Sequence, residues 1–107
     1  MIQEVNEMIT MFTMTYPTTS AAEFGKAVLK NFQENPFPDY IKPLGLYATP
    51  YENGIKTYAI LEIQEGKEDD AFKIFNKRLA NYLPVPGYGS KEERLLTMEE
   101  SLAVVGL

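Results

Sequence analysis

The sequence predicts one α+β domain, with strands and helices in the order β-α-β-β-α-β and a short helix after the last strand. Three observations carry that prediction. Two segments, near residues 20–35 and 67–83, space their apolar residues helically between a start signal and a proline stop. Two others, Met8–Tyr16 and residues 55–64, alternate as strands do and are rich in strand-favouring side chains. Finally, 107 residues with 45% hydrophobic and 23% charged content suit a single globular domain of common size. The domain is read as 1–107, with residues 1–7 as an N-terminal extension and Met8 as an alternative start.

The first strand, Met8–Tyr16, is closed by Pro17. Ser20-Ala-Ala-Glu23 has the form of a capping box, with Ser20 as N-cap and Glu23 reaching back to its amide. Behind it Ala21, Phe24, Val28 and Phe32 share a helical face, with Leu29 beside them, and Asn35-Pro36 ends the helix. Three prolines between 36 and 43 read as a loop around Phe37, Tyr40 and Ile41. Residues 44–50 then read as a strand. Asn53-Gly54 supplies a tight turn, because both residues tolerate positive φ at low cost. In the strand at 55–64, Ile55, Thr57, Ala59, Leu61 and Ile63 form one face, and Lys56, Tyr58, Ile60 and Glu62 the other.

Glu68, Asp69 and Asp70 place negative charge where a helix N-terminus favours it. Phe72, Phe75, Leu79 and Tyr82 form the stripe of this second helix, and Pro84 and Pro86 stop it. Two readings fit the remainder. Thr97-Met-Glu-Glu100 is a capping box for a helix over 98–105 with Gly106 after it, which leaves 88–96 as a polar fourth strand. Alternatively, Ser90-Lys-Glu-Glu93 caps one longer helix. Strand then helix is preferred, because four strands complete the sheet.

The sheet has apolar residues on both faces: Phe12 and Met14 against Ile9 and Met11 in the first strand, and Tyr58 with Ile60 in the third. A sheet covered on one side by helices is otherwise polar on the other. A second copy of the same sheet is the simplest cover.

Composition excludes more than it identifies. Ten basic against fifteen acidic residues leave a net charge of −5, which repels nucleic acid and anionic membrane surfaces. There is no cysteine and no histidine. Thiolate nucleophiles, Cys-based metal centres, imidazole acid–base chemistry and the commonest haem ligand are therefore absent. No metal and no cofactor is expected. The acidic N-terminus does not read as a signal peptide, and no apolar run reaches the roughly 18 residues of a membrane span. The cytoplasm is the expected location.

The element order across residues 8–96, the apolar second sheet face and the tail Leu95-Leu-Thr-Met-Glu-Glu-Ser-Leu102 resemble the ferredoxin-like superfamily, and within it the dimeric α+β barrels. The tail looks like the end of several small bacterial and archaeal proteins of this type. The resemblance implies an antiparallel sheet with its helices on one face and a homodimer built on the other. It also implies a function among cofactor-free oxygenases, isomerases, haem-handling enzymes and ligand-sensing modules. Fold alone does not choose among these. Lack of histidine removes the usual haem ligation and the histidine-dependent members. The paired cysteines of metal chaperones and the strand motifs of RNA-binding relatives are missing too.

Three residues are candidate site groups. Tyr47 and Tyr58, on adjacent strands, could donate hydrogen bonds to a ligand carbonyl or enolate; they also suit interface packing. Glu62, on the face of Tyr58, could be a carboxylate with a raised pKa, or a solvated partner of a cross-strand lysine. The acidic run 65–70 lacks the ligand pattern of a calcium loop. Arg78 and Arg94 could each clamp an anion, although a solvated helix face and a cross-strand pair account for them. Gly87-Tyr88-Gly89 has no phosphate-loop lysine. The leading expectation is a homodimeric small-molecule-binding domain. A cofactor-independent oxygenase or isomerase using Glu62 with Tyr47 or Tyr58 comes second, and a structural or protein-interaction subunit third.

Overall fold

The computed structural model describes residues 7–107, so most of the expected N-terminal extension lies outside the described residues. The elements are β1 (Met8–Tyr16), α1 (Ala21–Glu34), β2 (Ile41–Tyr51), β3 (Gly54–Ile63), α2 (Glu68–Tyr82), β4 (Gly89–Leu95) and α3 (Met98–Val104), with a 3-10 turn at Thr18–Ser20 before α1. Four antiparallel strands form one sheet in the order β2-β3-β1-β4. This is the ferredoxin-like βαββαβ arrangement with one added C-terminal helix.

Register follows the alternation in the sequence. Thr10 pairs with Leu61, Phe12 with Ala59 and Tyr16 with Ile55, so the odd residues of β3 and the even residues of β1 share a face. Both helices pack on that face, in two separate clusters. Tyr16, Phe24, Ala27, Tyr82 and Val85 form one, and Ile41, Leu61, Ile63 and Ala71 the other. Among the described residues, neither buried cluster lies on the opposite face of the sheet.

Three local expectations are corrected. Ser20 precedes α1, but its side chain makes no cap bond; its hydroxyl instead donates to the Pro86 carbonyl at 2.7 Å. That bond ties the start of α1 to the segment leaving α2. β2 starts at Ile41 rather than 44, because it is an edge strand and tolerates Pro43 at a bulge between Pro43 and Gly45. The inward residues of α1 are Phe24, Ala27 and Asn31, while Phe32 and Leu29 are exposed. The end of the chain follows the preferred reading: Thr97 and Glu100 form both bonds of a capping box, and Gly106 takes a positive φ.

Two glycines make opposite demands. Gly54 has φ +147°, and a Cβ there would run into the Tyr16 carbonyl oxygen. Gly25 lies in an exposed turn of α1 with nothing near its missing side chain. Gly54→Ala should therefore cost about 2 kcal/mol or more, whereas Gly25→Ala should stabilise by about 0.5–1 kcal/mol. Urea denaturation midpoints of the two variants check both signs.

Candidate functional site

The middle of the sheet is floored by small side chains. Thr57 and Ala59 lie at the centre of β3, between the two clusters, and nothing bulky rises from them toward the helices. On one side Phe12 of β1 meets Phe75 of α2 edge to face, with ring centroids 4.8 Å apart. On the other, near-parallel rings step from Tyr16 to Phe24 (4.1 Å), on to Tyr82 (5.3 Å) and then to Tyr88 (5.4 Å). Each such contact adds about 0.5–1.5 kcal/mol beyond area burial. These two aromatic props hold the helix layer off the sheet centre.

The space between them is an apolar cavity of about 360 Å³. Its walls are Val28 and Phe32 of α1, Phe72 and Leu79 of α2, Leu46 of β2 and the ring of Phe37. It is open to solvent where Phe32, Leu46 and Phe72 are exposed, Phe72 to 63%. A volume above about 300 Å³ with mostly apolar walls and a few polar groups is the usual form of a small-molecule pocket.

The polar groups at its edge are Asn76 and Arg78 on α2 and Ser90 and Glu92 on β4. Arg78 departs most from its sequence reading. It is only 8% exposed, so the solvated-face account is corrected. Its Nη1 donates to the Asn35 carbonyl at 2.7 Å and more weakly to the Asn31 carbonyl at 3.5 Å, bonding the last carbonyls of α1. Its guanidinium lies over Phe37 at 4.2 Å and near Phe32 at 5.8 Å. Burial lowers its pKa, partly offset by the neighbouring Tyr82 hydroxyl. No carboxylate forms an ion pair with Arg78 among the described residues.

Asn31 completes this helix-to-helix lock. It is fully buried; its Nδ2 donates to the Arg78 carbonyl at 3.1 Å, and its Oδ1 accepts from Asn81 at 2.8 Å and Asn35 at 3.2 Å. Sequence reading missed Asn31, and it weighed Arg78 as an anion clamp against a solvated helix face without finding its burial. The spacing Phe24, Ala27, Asn31 was the available signal, because an asparagine in a buried register needs partners.

The three predicted site residues lie on the other side of the sheet. Tyr47 and Tyr58 are direct cross-strand partners there, Tyr47 61% exposed and Tyr58 half-buried. Glu62 is half-buried on the same face, opposite Lys42 on β2 and Ile9 on β1. A shallow depression on this face includes Tyr58 but neither Tyr47 nor Glu62. Glu68, Asp69 and Asp70 occupy the first turn of α2.

No protein-family model matches the chain, and no curated protein matches its sequence. Among solved structures it is similar to the solution structure of the C-terminal domain of the MgtC protein from Mycobacterium tuberculosis. That match has a TM-score of 0.54 at 9% identity and covers 88% of this chain and 94% of that one. At this identity the likeness concerns the fold. Among the described residues no helix is long and apolar enough to cross a membrane.

Two predictions come from the site. Asn31→Ala should cost about 1–3 kcal/mol by leaving buried partners unsatisfied, a loss measurable by chemical denaturation. Tyr88 is held above its ordinary pKa of 10.0 by burial, which outweighs its bond to Ser90. Its folded-state pKa is raised, so its contribution to stability is complete below about pH 10 and is lost as pH rises through the folded value. Tyr88→Phe should therefore lose less stability than the native chain above about pH 10, with no such difference at pH 7.

Proposed function

We propose that this chain is a small-molecule-binding domain acting as a homodimer of the dimeric α+β barrel type. The observation that carries the binding reading is the apolar cavity between sheet and helices. It is walled within one chain, reached by an open mouth, and edged by a buried arginine without a carboxylate partner among the described residues. Those features suit a compact, largely apolar organic molecule, with an acidic group accommodated at Arg78. A cytoplasmic setting accompanies this reading.

The dimer reading draws on two further features. Ile9, Met11, Tyr58 and Ile60 make the centre of the uncovered sheet face apolar. Helix α3 has seven residues and none of them is buried. Isolated helices below about 12 residues are marginal in water, so α3 needs a surface to pack against. The oxygenase or isomerase reading, which relies on Glu62 and the tyrosines, draws no support from a cavity on the opposite face.

The test uses 8-anilinonaphthalene-1-sulfonate, an apolar aromatic probe with one anionic group. Fluorescence titration at neutral pH should give saturable binding of one probe per chain. Ala59→Phe, which fills the cavity floor, should weaken that binding by about tenfold or more, the scale of a lost apolar contact of 1.4 kcal/mol. Binding that does not saturate, or that Ala59→Phe leaves unchanged, contradicts the proposal. Light scattering across micromolar concentrations should give the mass of two 12.1 kDa chains. A monomer would leave the binding domain without its homodimer and favour a structural subunit docking a different protein.

A further inference from the structure

The uncovered sheet face carries a charge pattern that is complementary to itself in one orientation only. Counting along the strands at the levels set by β1, the level of Ile9 holds Glu62 and Leu95, and that of Met11 holds Ile60 and Glu93. The level of Thr13 holds Tyr58 and Lys91, and that of Thr15 holds Lys56 and Gly89. Acid therefore occupies one half of β3 and β4, and base the other.

From this pattern we infer that two copies stack these faces about a two-fold axis that lies between the sheets, at right angles to the strands, at the level of Phe12. This inference rests on the homodimer proposed above and specifies its register. Such an axis keeps each strand over its own copy and reverses its direction. Lys56 then stands over Glu62 of the second copy, and Lys91 over Glu93 of the second copy, each contact occurring twice by symmetry. Tyr58 stands over Ile60 of the second copy, so the middle stays apolar. Leu95 stands over Gly89 of the second copy, where no side chain competes for the space.

The alternatives are worse on the same observations. Sliding the copies by two residues one way sets Lys91 over itself, and by two the other way sets Glu93 over itself. An axis along the strands places the lysine end on the lysine end. Lys42, on the edge strand β2 beside Glu62, meets Thr49 of the second copy in the inferred register and is opposed by no like charge. The Lys91–Glu93 ion pair within one chain, 3.5 Å long, becomes half of a four-charge network. Packed sheets lie about 10 Å apart, a gap that extended lysine and glutamate side chains span from opposite sides.

Lys56 and Glu62 are six residues apart on one strand, so roughly 20 Å separates them within a chain. That is more than two Debye lengths (about 8 Å) at physiological salt. Any coupling between them must pass through the second copy. Lys56→Glu and Glu62→Lys should each weaken the dimer about tenfold or more, since each sets like charges together twice. An equimolar mixture of the two variants should recover dimer, as a heterodimer in which every opposed pair again has opposite sign. The double variant should recover it as a homodimer. Sedimentation velocity at low salt reads all four samples, and circular dichroism checks that each is folded. Should either Lys56 or Glu62 variant fail to fold, the mixture of Lys91→Glu with Glu93→Lys makes the same test. A native dimer whose variants show no recovery on mixing overturns the register and leaves the homodimer standing. A native chain that is monomeric overturns both.

Discussion

The two long helices are bonded to each other through buried polar groups, and this lock shapes the rest of the domain. Asn31 of α1 accepts from Asn81, donates to the backbone of Arg78 and accepts from Asn35, while Arg78 returns bonds to the carbonyls ending α1. Buried amide and guanidinium groups are costly unless satisfied, and in low dielectric their bonds gain strength, so the pair behaves as one rigid plate. A plate cannot settle locally onto a sheet of uneven height. It rests on the aromatic stack at one end and on the Phe12–Phe75 contact and aliphatic cluster at the other, above the small side chains of Thr57 and Ala59. The cavity follows from that mismatch. Protein interiors otherwise pack nearly without voids; here an open apolar gap lies between the satisfied polar bonds and the stacked rings.

The sheet thereby separates two chemically different faces. One face, with the helices, holds a pocket complete within a single chain. The other face, apolar at its centre and charged at its ends, is the one proposed above to meet a second copy. Residues alternate between these faces along β3: Thr57, Ala59 and Leu61 line the pocket, while Lys56, Tyr58, Ile60 and Glu62 belong to the open face. A substitution on one face should leave the other largely intact, because period-two alternation isolates their side chains. Strand β3 couples the two only through its backbone.

Much of the fold was legible. Strands β1 and β3 follow from β-branched and aromatic alternation, and α1 and α2 from their apolar stripes. The polar β4 was preferred because four strands complete the sheet, and the Thr97–Glu100 capping box behind it is present in the structure. What stayed hidden has physical causes. Ser20 carries the sequence form of a cap, but a tertiary acceptor at Pro86 outcompeted the local amide. The start of β2 was obscured by prolines, which an edge strand accepts and a central strand does not. Asn31 went unnoticed and the burial of Arg78 was not foreseen, since a pattern that counts only apolar positions is blind to polar groups that satisfy one another. The cavity itself arises from the absence of bulk at Thr57 and Ala59, and a missing side chain leaves no periodic signature.

The helix plate stands off the sheet and leaves an open apolar space between them. Xenon-pressurised NMR of the methyl-labelled protein tests this directly, since xenon enters apolar cavities and little else. The methyl groups of Val28, Leu46, Leu61 and Leu79, from four different elements, should shift together and saturate with one common affinity. Unchanged methyls at these positions, or small shifts that rise linearly across the whole surface, would contradict it.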